Sequence, residues 1–262
     1  MAKRHSRQAA TDDRSGSARD NDAPVALVWM RAAYRLHTFV YRDPRSSSSA
    51  AMGLPVVSPT AVLLGIPSTL FNLGMADEAR EFLDRIHRCA AVVDPPEGAV
   101  FFRAFHQLRR YVSDKYPKSK PRLGLTNINQ GTKEYALVEG PMTIFAGVPD
   151  SLAASAKLAL ENRDHLGSHD SLCSLVGEVE SVPEPSGIIY LPPERWHKNP
   201  PPIGAVTILT LARFKSAFAQ PTVGNHWWMA GGDNTELVEY LVKGTFTGTT
   251  RGKIYRKNPP TV

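Results

Sequence analysis

The chain has 262 residues, 42% of them apolar, and a formal net charge of +6. It is long enough to bury a sizeable core, and its positive charge favours a polyanionic partner. No run approaches the roughly 18 apolar residues that span a bilayer, so we expect no membrane association. Residues 1–22 lack the apolar core of a secretory signal, which predicts a cytoplasmic protein. Those same residues are polar and mixed in charge, so they are predicted to be disordered.

The two cysteines, Cys89 and Cys173, have neither the spacing of a metal site nor that of a disulfide framework. We expect both to be reduced and buried. The sequence therefore predicts no metal and no other cofactor.

Residues 25–41 are rich in strand formers and predict a first strand with one face in the core. With one face of this strand in the core, we expect the solvent-exposed side to carry, on it or near it, Arg31, Arg35 and Arg42.

Residues 54–74 predict a buried helix. Ser58 is a good N-cap, and Pro59 suits the first helical position because its missing amide costs nothing there. Five apolar residues recur at helical spacing: Val62, Leu63, Ile66, Leu70 and Phe71. The presence of Gly65 in the middle of this helix predicts that another backbone segment passes close to it. Pro67 predicts either a kink in the helix or the start of its second half.

Residues 75–88 have one apolar face and predict a surface helix, and residues 89–93 predict a short buried strand. The segment 100–122 follows. It carries a net charge of +6, equal to that of the whole chain, with aromatic residues between its cations. Cations interleaved with aromatic rings are typical of single-stranded RNA binding, in which phosphates meet Lys or Arg and bases stack on rings.

Residues 123–131 predict a loop, with turn residues at Asn129 and Gly131. Two strand pieces are predicted within 133–148, then a helix over 152–162 capped by Asp150 or Ser151, then a strand over 172–182. The Pro-rich remainder predicts a strand over 203–214 and a short helix or strand over 236–242, with Trp227 and Trp228 slightly favoured as core.

This order of elements predicts an α+β, ferredoxin-like (RRM-like) βαββαβ domain with a basic hairpin or thumb inserted in it. We predict three regions: a disordered tail at 1–22; the domain at 23–182, with the thumb at about 100–131; and a β-rich extension at 183–262.

The chain resembles the Cas-five family, RAMP-superfamily subunits of type I CRISPR effector complexes (Cascade). The resemblance rests on the Pro-Thr and Gly-bearing first helix, the inserted basic segment, and the helix followed by His165-Leu-Gly-Ser-His-Asp-Ser-Leu-Cys173. It covers roughly residues 25–180.

The resemblance implies a non-catalytic, antiviral RNA-binding subunit of a ribonucleoprotein complex. Such a subunit caps the 5′ handle of the guide RNA (crRNA), docks on the large and Cas-seven backbone subunits, and meets target DNA through the complex. By residue type and position, the predicted RNA-binding residues are Arg31, Arg35, Arg42, Arg103, His106, Arg109, Arg110, Lys115, Tyr116, Lys118, Lys120 and Arg122. Tyr34 and Phe105, with Tyr116, are the predicted stacking residues.

Two alternatives remain open at this point. The first is a metal-independent endoribonuclease that processes precursor crRNA. Such an enzyme needs a general acid or base and cations. Residues of suitable types are His37, Tyr41, His106, Tyr116 and Lys118. An RRM-like RNA-binding protein outside CRISPR is the second alternative, although the two RNP aromatic runs are missing.

Two enzyme signatures in the 165–171 segment are weak. Ser168, His169 and Asp170 are consecutive and cannot form a catalytic triad. In a triad the histidine must hydrogen-bond to both the serine and the aspartate, and adjacent side chains point apart. His165 and His169 have the spacing of metal ligands on a helix, but Gly167 lies between them and no third ligand is near.

Overall fold

The computed structural model describes residues 26–46, 50–111, 126–185, 190–192, 206–215, 234–249 and 252–258. The predicted tail at 1–22 and the Trp227-Trp228 pair lie outside the described residues. The three-region division of the chain stays a prediction.

A four-stranded antiparallel sheet forms the centre of the fold. Its order is β3-β6-β1-β7, from the strands β1 Leu27–Leu36, β3 Ala90–Asp94, β6 Met142–Pro149 and β7 Cys173–Val182. The first and second strands of the βαββαβ sequence are thus separated by the third, as a ferredoxin-like sheet requires. The predicted α+β fold class is confirmed.

Helix α1, Pro59–Asn72, begins as predicted. The Ser58 side chain accepts a hydrogen bond from the Ala61 amide at 3.1 Å, and Pro59 is the first helical residue. Pro67 lies inside this one helix. Four of the five predicted apolar positions are buried, but Phe71 is 44% exposed. The prediction for Phe71 is wrong because this side chain faces away from the core, whereas its neighbour Leu70 in the same turn is fully buried.

Two more helices follow the predicted pattern. Helix α2, Ala76–Arg85, buries Ala79 and Phe82 and is extended by a 3₁₀ turn, Ile86–Arg88. Helix α3, Asp150–Glu161, begins at Asp150 without a side-chain cap. The predicted cap by Asp150 or Ser151 is therefore wrong: both residues already lie inside the helix, and Asp150 instead places its negative charge in the first turn, where the helix dipole favours it.

A long antiparallel hairpin connects β3 to β6. Its strands are β4, Gly98–Tyr111, and β5, Thr126–Glu139, which pair along their full length. The predicted loop at 123–131 is wrong from Thr126 onward. Asn129 pairs with Leu108 and Gly131 with His106, so the cross-strand ladder overrides their turn preference.

The hairpin is the middle of a five-stranded sheet of order β11-β12-β4-β5-β2. The remaining strands of that sheet are β2 Ala50–Ala51, β11 Thr245–Thr249 and β12 Gly252–Arg256. A third sheet, of order β8-β10-β9, contains β8 Tyr190–Leu191, β9 Val206–Phe214 and β10 Thr235–Lys243. The segment 236–242 is therefore a strand.

The core joins the helix-facing side of the central sheet to α1 and α3. Alternate residues of β1 lie in it: Met30, Ala32, Tyr34 and Leu36. Within the described ranges, no helix combines the length and apolar character that crossing a bilayer requires.

Both cysteine thiols are free, and Cys173 is buried while Cys89 is half-buried. The prediction of a buried Cys89 is thus only partly correct, because this residue sits at the edge of the sheet ahead of β3. Burial nevertheless raises the pKa of each thiol to about 12. Neither cysteine is therefore a reactive thiolate at neutral pH.

Candidate nucleic-acid interface

Strand β1 presents two of the predicted RNA-binding arginines on the sheet face opposite the helices. Arg31 and Arg35 are exposed, whereas the residues on either side of each are buried or point toward the core. Arg31 Nη1 lies 3.0 Å from Glu180 Oε2 on β7, and both side chains are about half exposed. Exposed pairs of this kind are weak, so the pair leaves Arg31 available to another anion.

Arg42 lies beyond β1 and organises the next turn. Its guanidinium donates to the Ser46 hydroxyl at 3.3 Å and to the Ser46 carbonyl. Asp43, 8% exposed, accepts from the amide and the guanidinium of Arg45. Arg42 is exposed but tied to this turn, so it is less free than Arg35.

Strand β4 places a cation and an aromatic ring side by side. Arg103 has 69% of its side chain exposed, and Phe105, two residues on and therefore on the same face, is 65% exposed. Arg103 Nε lies 3.3 Å from Glu134 Oε1 on the paired strand. This arrangement offers a phosphate contact next to a stacking surface.

A buried carboxylate lies under this part of the hairpin. Glu134, 6% exposed, accepts from the Gly53 amide at 2.9 Å and pairs with Lys253 Nζ at 3.0 Å. Burial raises the pKa of Glu134, but the hydrogen bonds from Gly53, Lys253 and Arg103 and the charge of Lys253 outweigh it and hold that pKa below its usual value.

Neither Glu134 nor Lys253 is among the residues predicted from the sequence. The Lys253 ammonium also donates to the Gly53 carbonyl at 2.7 Å and lies 4.8 Å from the centre of the Phe101 ring. Lys253 was visible as part of the basic stretch near the C-terminus, but nothing in the sequence pairs it with a carboxylate more than a hundred residues earlier.

Three predicted residues are placed by backbone register alone. In the β4–β5 ladder His106 is opposite Gly131, Arg109 opposite Ile128 and Arg110 opposite Asn127. Five more predicted residues lie in 112–125, outside the described residues: Lys115, Tyr116, Lys118, Lys120 and Arg122.

One predicted stacking residue is wrong. Tyr34 is fully buried, and its hydroxyl donates to the Leu160 carbonyl of α3. Burial raises the pKa of this phenol. Tyr34 lies on the core face of β1, one position from the exposed Arg35, so it is a core residue and not a stacking platform.

The outer face of the hairpin carries an aromatic pair that was not predicted from the sequence. Phe102, 42% exposed, stacks on Tyr135 of the paired strand with ring centroids 5.9 Å apart and an interplanar angle of 22°. Because Phe101 and Phe102 are adjacent in one strand, their side chains must point to opposite faces of the sheet. The sequence does not reveal which of the two faces outward.

The loop between α3 and β7 holds the Ser-His-Asp run. The hydroxyls of Ser168 and Ser171 both donate to the Val40 carbonyl, at 2.8 and 2.9 Å. Asp170 pairs with Lys133 at 3.0 Å. These side chains hold the loop against the end of β1, and their geometry is not that of a triad.

The histidines of the same loop contact each other. The rings of His165 and His169 have centroids 5.0 Å apart, and His165 Nδ1 lies 2.6 Å from Asp164 Oδ1. Across the described part of the chain, no group of three or more His, Cys, Asp or Glu is placed to hold a metal ion.

Two residues that the endoribonuclease alternative would use, Tyr41 and His37, are in hydrogen-bond contact with neighbouring serines. The Tyr41 hydroxyl donates to Ser58 Oγ at 2.6 Å, and burial raises the pKa of that phenol. His37 Nε2 lies 3.0 Å from Ser174 Oγ.

No family model matches the chain, and no curated protein matches it. Among solved structures, the chain is similar to the crystal structure of a CRISPR protein from Archaeoglobus fulgidus. The two are 12% identical with a TM-score of 0.37, and the match covers 87% of this chain and 99% of that chain. Similarity at this level does not assign a function to the chain.

Proposed function

We propose that this protein is a non-catalytic guide-RNA-binding subunit of a type I CRISPR surveillance complex. In this proposal it holds the 5′ handle of the crRNA and contacts the large and Cas-seven backbone subunits, and it meets target DNA as part of the complex.

The main observation in support of RNA binding is that Arg103 and Phe105 lie exposed next to each other on β4. Phe105 is 65% exposed and so offers an open ring face, on which a nucleobase can stack regardless of sequence. The neighbouring guanidinium supplies a phosphate contact. The hairpin then leads into the segment with the densest positive charge of the chain.

The two exposed arginines of β1 support the same proposal. Arg31 and Arg35 are exposed on the sheet face opposite the helices, beside the buried Trp29 and Ala33, and RRM-type domains use that face to bind RNA. The assignment to CRISPR rests on the sequence resemblance to the Cas-five family, with its first helix, inserted basic segment and histidine-bearing loop.

No contact among the described residues favours the endoribonuclease over this role. Tyr41, one of the residue types that such an enzyme would use, has its hydroxyl committed to the cap of α1.

A charge-reversal experiment tests RNA binding. The variant carries Lys115→Glu, Lys118→Glu, Lys120→Glu and Arg122→Glu, and its affinity for a labelled single-stranded RNA is measured by fluorescence anisotropy. Since each lost phosphate contact weakens binding, we expect RNA association to be abolished at moderate salt while circular dichroism stays unchanged.

The matched control reverses four exposed cations outside the hairpin: Arg80, Arg88, Lys157 and Lys243. It alters net charge equally, so it should retain most of the affinity. RNA binding that survives in the hairpin variant, or falls equally in both variants, contradicts the proposed interface.

A purification tests the CRISPR assignment. The protein is isolated together with the products of its genomic neighbours, and the bound RNA is sequenced. Uniform short RNAs that begin with a repeat fragment are expected; no RNA, or a random mixture, contradicts the assignment.

A further inference from the structure

A cleft of about 600 Å³ runs along one side of α1, between that helix and the loop joining α3 to β7. Its volume is typical of sites for small molecules. Among the proposed RNA-binding arginines whose side chains the structure describes, namely Arg31, Arg35, Arg42 and Arg103, none lines the cleft.

The polar end of the cleft is the N-terminus of α1. The first amides of a helix have no intrahelical acceptor, and they concentrate positive partial charge. Ser58 Oγ satisfies the amide of Ala61, and Pro59 has no amide, so the amide of Thr60 is left without an intrahelical acceptor. Helix N-termini of this kind bind phosphate and other anions.

An orphaned hydroxyl lies at the same end. Thr60 lines the cleft and is only 4% exposed, yet its Oγ1 has no hydrogen-bond partner among the described residues. Buried hydroxyls are normally paired, so Thr60 Oγ1 has an unused hydrogen bond that a ligand in the cleft could fill.

Two histidines belong to the polar lining of the cleft. His165 and His169 line it, and among the described residues that line it there is no Asp or Glu. His165 Nδ1 lies 2.6 Å from Asp164 Oδ1, so the second ring nitrogen, Nε2, is the one left for a ligand.

A buried guanidinium lies directly behind the cleft wall. Arg163 is 3% exposed and donates from Nη2 to the Val62 carbonyl at 2.9 Å, while its Nε and Nη1 have no partner among the described residues. The cleft is lined at this point by Gly65, and a Cβ there would lie 2.6 Å from the Arg163 Cζ. An unpaired buried cation this close favours an anion in the cleft.

The other part of the cleft is apolar. Leu64 and Pro67 of α1 and Leu83 of α2 line it, and the partly exposed Phe71 lines it as well. A nucleobase can pack against such a surface, whereas free phosphate would leave it empty.

We propose that this cleft binds a nucleotide, with the phosphate at the N-terminus of α1 beside Thr60 and the two histidines and with the base against the apolar wall. The nucleotide is either free or one residue of a bound RNA. The RNA source rests on the proposed function; the free-nucleotide source does not.

The test measures phosphate-dependent binding by isothermal titration calorimetry. The full chain is titrated with adenosine 5′-monophosphate and with adenosine. We expect the monophosphate to bind at least about tenfold more tightly than adenosine, because its phosphate gains one or two charge-assisted hydrogen bonds that adenosine cannot make.

Two variants then locate the site: His165→Gln with His169→Gln, and Thr60→Val, which keeps the side-chain shape and removes the hydroxyl. His87→Gln, an equivalent change outside the cleft, is the matched control. Thermal unfolding verifies that each variant is folded, and Thr60→Val decides the outcome if the histidine variant is not.

The same variants are titrated with a short single-stranded RNA. Loss of monophosphate binding alone supports a free nucleotide, and a concurrent or sole loss of RNA affinity supports a nucleotide of bound RNA. If neither affinity falls in the folded cleft variants, or if the His87 control falls equally, the proposal is overturned.

The two proposals fail in different ways. If the unmodified protein does not bind RNA, the proposed function is wrong, yet the monophosphate titration still tests the cleft. If RNA binds and depends on the hairpin but no titration depends on the cleft, the cleft proposal alone is wrong.

Discussion

At the scale of single residues, Arg163 determines what can stand at position 65. Its guanidinium fills the space beside the Gly65 Cα and is held there by the Val62 carbonyl. Burial lowers the pKa of Arg163, and the neighbouring ionisable groups of Tyr34, Cys173 and Asp164 act in the opposite direction. Gly65 is therefore present for a side chain that packs against the helix, and not for a second backbone as the sequence had indicated.

The first prediction follows from this contact. In an exposed helix, Gly→Ala would stabilise the protein by about 1 kcal/mol. Here the new Cβ displaces a buried guanidinium, so we expect Gly65→Ala to destabilise the protein by about 1–3 kcal/mol, the usual cost of overpacking. Urea unfolding measures the change.

Two controls isolate the cause. Gly248→Ala adds a Cβ where no atom lies within 4 Å and should change stability little. In an Arg163→Met background, the cost of Gly65→Ala should shrink, since a flexible thioether can move aside. A cost that is unchanged in that background contradicts the explanation.

At the scale of elements, β4 changes its surroundings along its length. Near its start, Phe101 is 2% exposed and packs against Phe246 with ring centroids 5.9 Å apart. Its neighbour Phe102 lies on the opposite face and is 42% exposed. By Phe105 the inner face is exposed as well, which marks the hairpin as extending past the core that covers its base.

The second prediction compares adjacent phenylalanines. Phe101→Ala leaves a cavity and should cost about 3–5 kcal/mol. Phe102→Ala removes an exposed ring and one cross-strand contact with Tyr135, so it should cost about 1 kcal/mol or less. Denaturant midpoints of the two variants provide the comparison. Equal costs would contradict the different burial of the two rings, and the reverse order would mean that β4 is shifted by one residue, which exchanges its two faces.

At the scale of the whole molecule, the net charge of +6 is unevenly distributed. Several described cations outside the hairpin are paired with carboxylates: Arg45 with Asp43, Lys253 with Glu134, and Lys257 with Asp94. The segment 100–122 by itself has a net charge of +6. The excess charge of the protein is thus concentrated in the hairpin and its connection, as an electrostatic RNA contact requires.

The third prediction concerns salt. If the hairpin neutralises RNA phosphates, the logarithm of the association constant falls linearly with the logarithm of salt concentration, by about 0.7 per phosphate for a single strand. Losing the four cations Lys115, Lys118, Lys120 and Arg122 should reduce the steepness of that slope by up to about 3. Anisotropy titrations over a salt series measure it; an unchanged slope would place the phosphate contacts elsewhere on the protein.

Local signals in the sequence were sufficient for much of the fold. Ser58 and Pro59 define the start of α1, the Gly140-Pro141 break separates β5 from β6, and periodicity locates the other helices. These features depend on residues within a few positions of one another, so the sequence displays them directly. The sequence also determined where the positive charge is concentrated, and hence where to look for an RNA-binding surface.

Only the tertiary structure decided which side chains face solvent and which charges meet. Tyr34 and Arg35 are neighbours, but the first is in the core and the second is exposed. The contacts of Glu134 with Lys253, and of Arg163 with α1, join residues about a hundred positions apart. Such contacts depend on how sheets and helices pack, because burial and the distance between charges are properties of the assembled fold and not of any local stretch of chain.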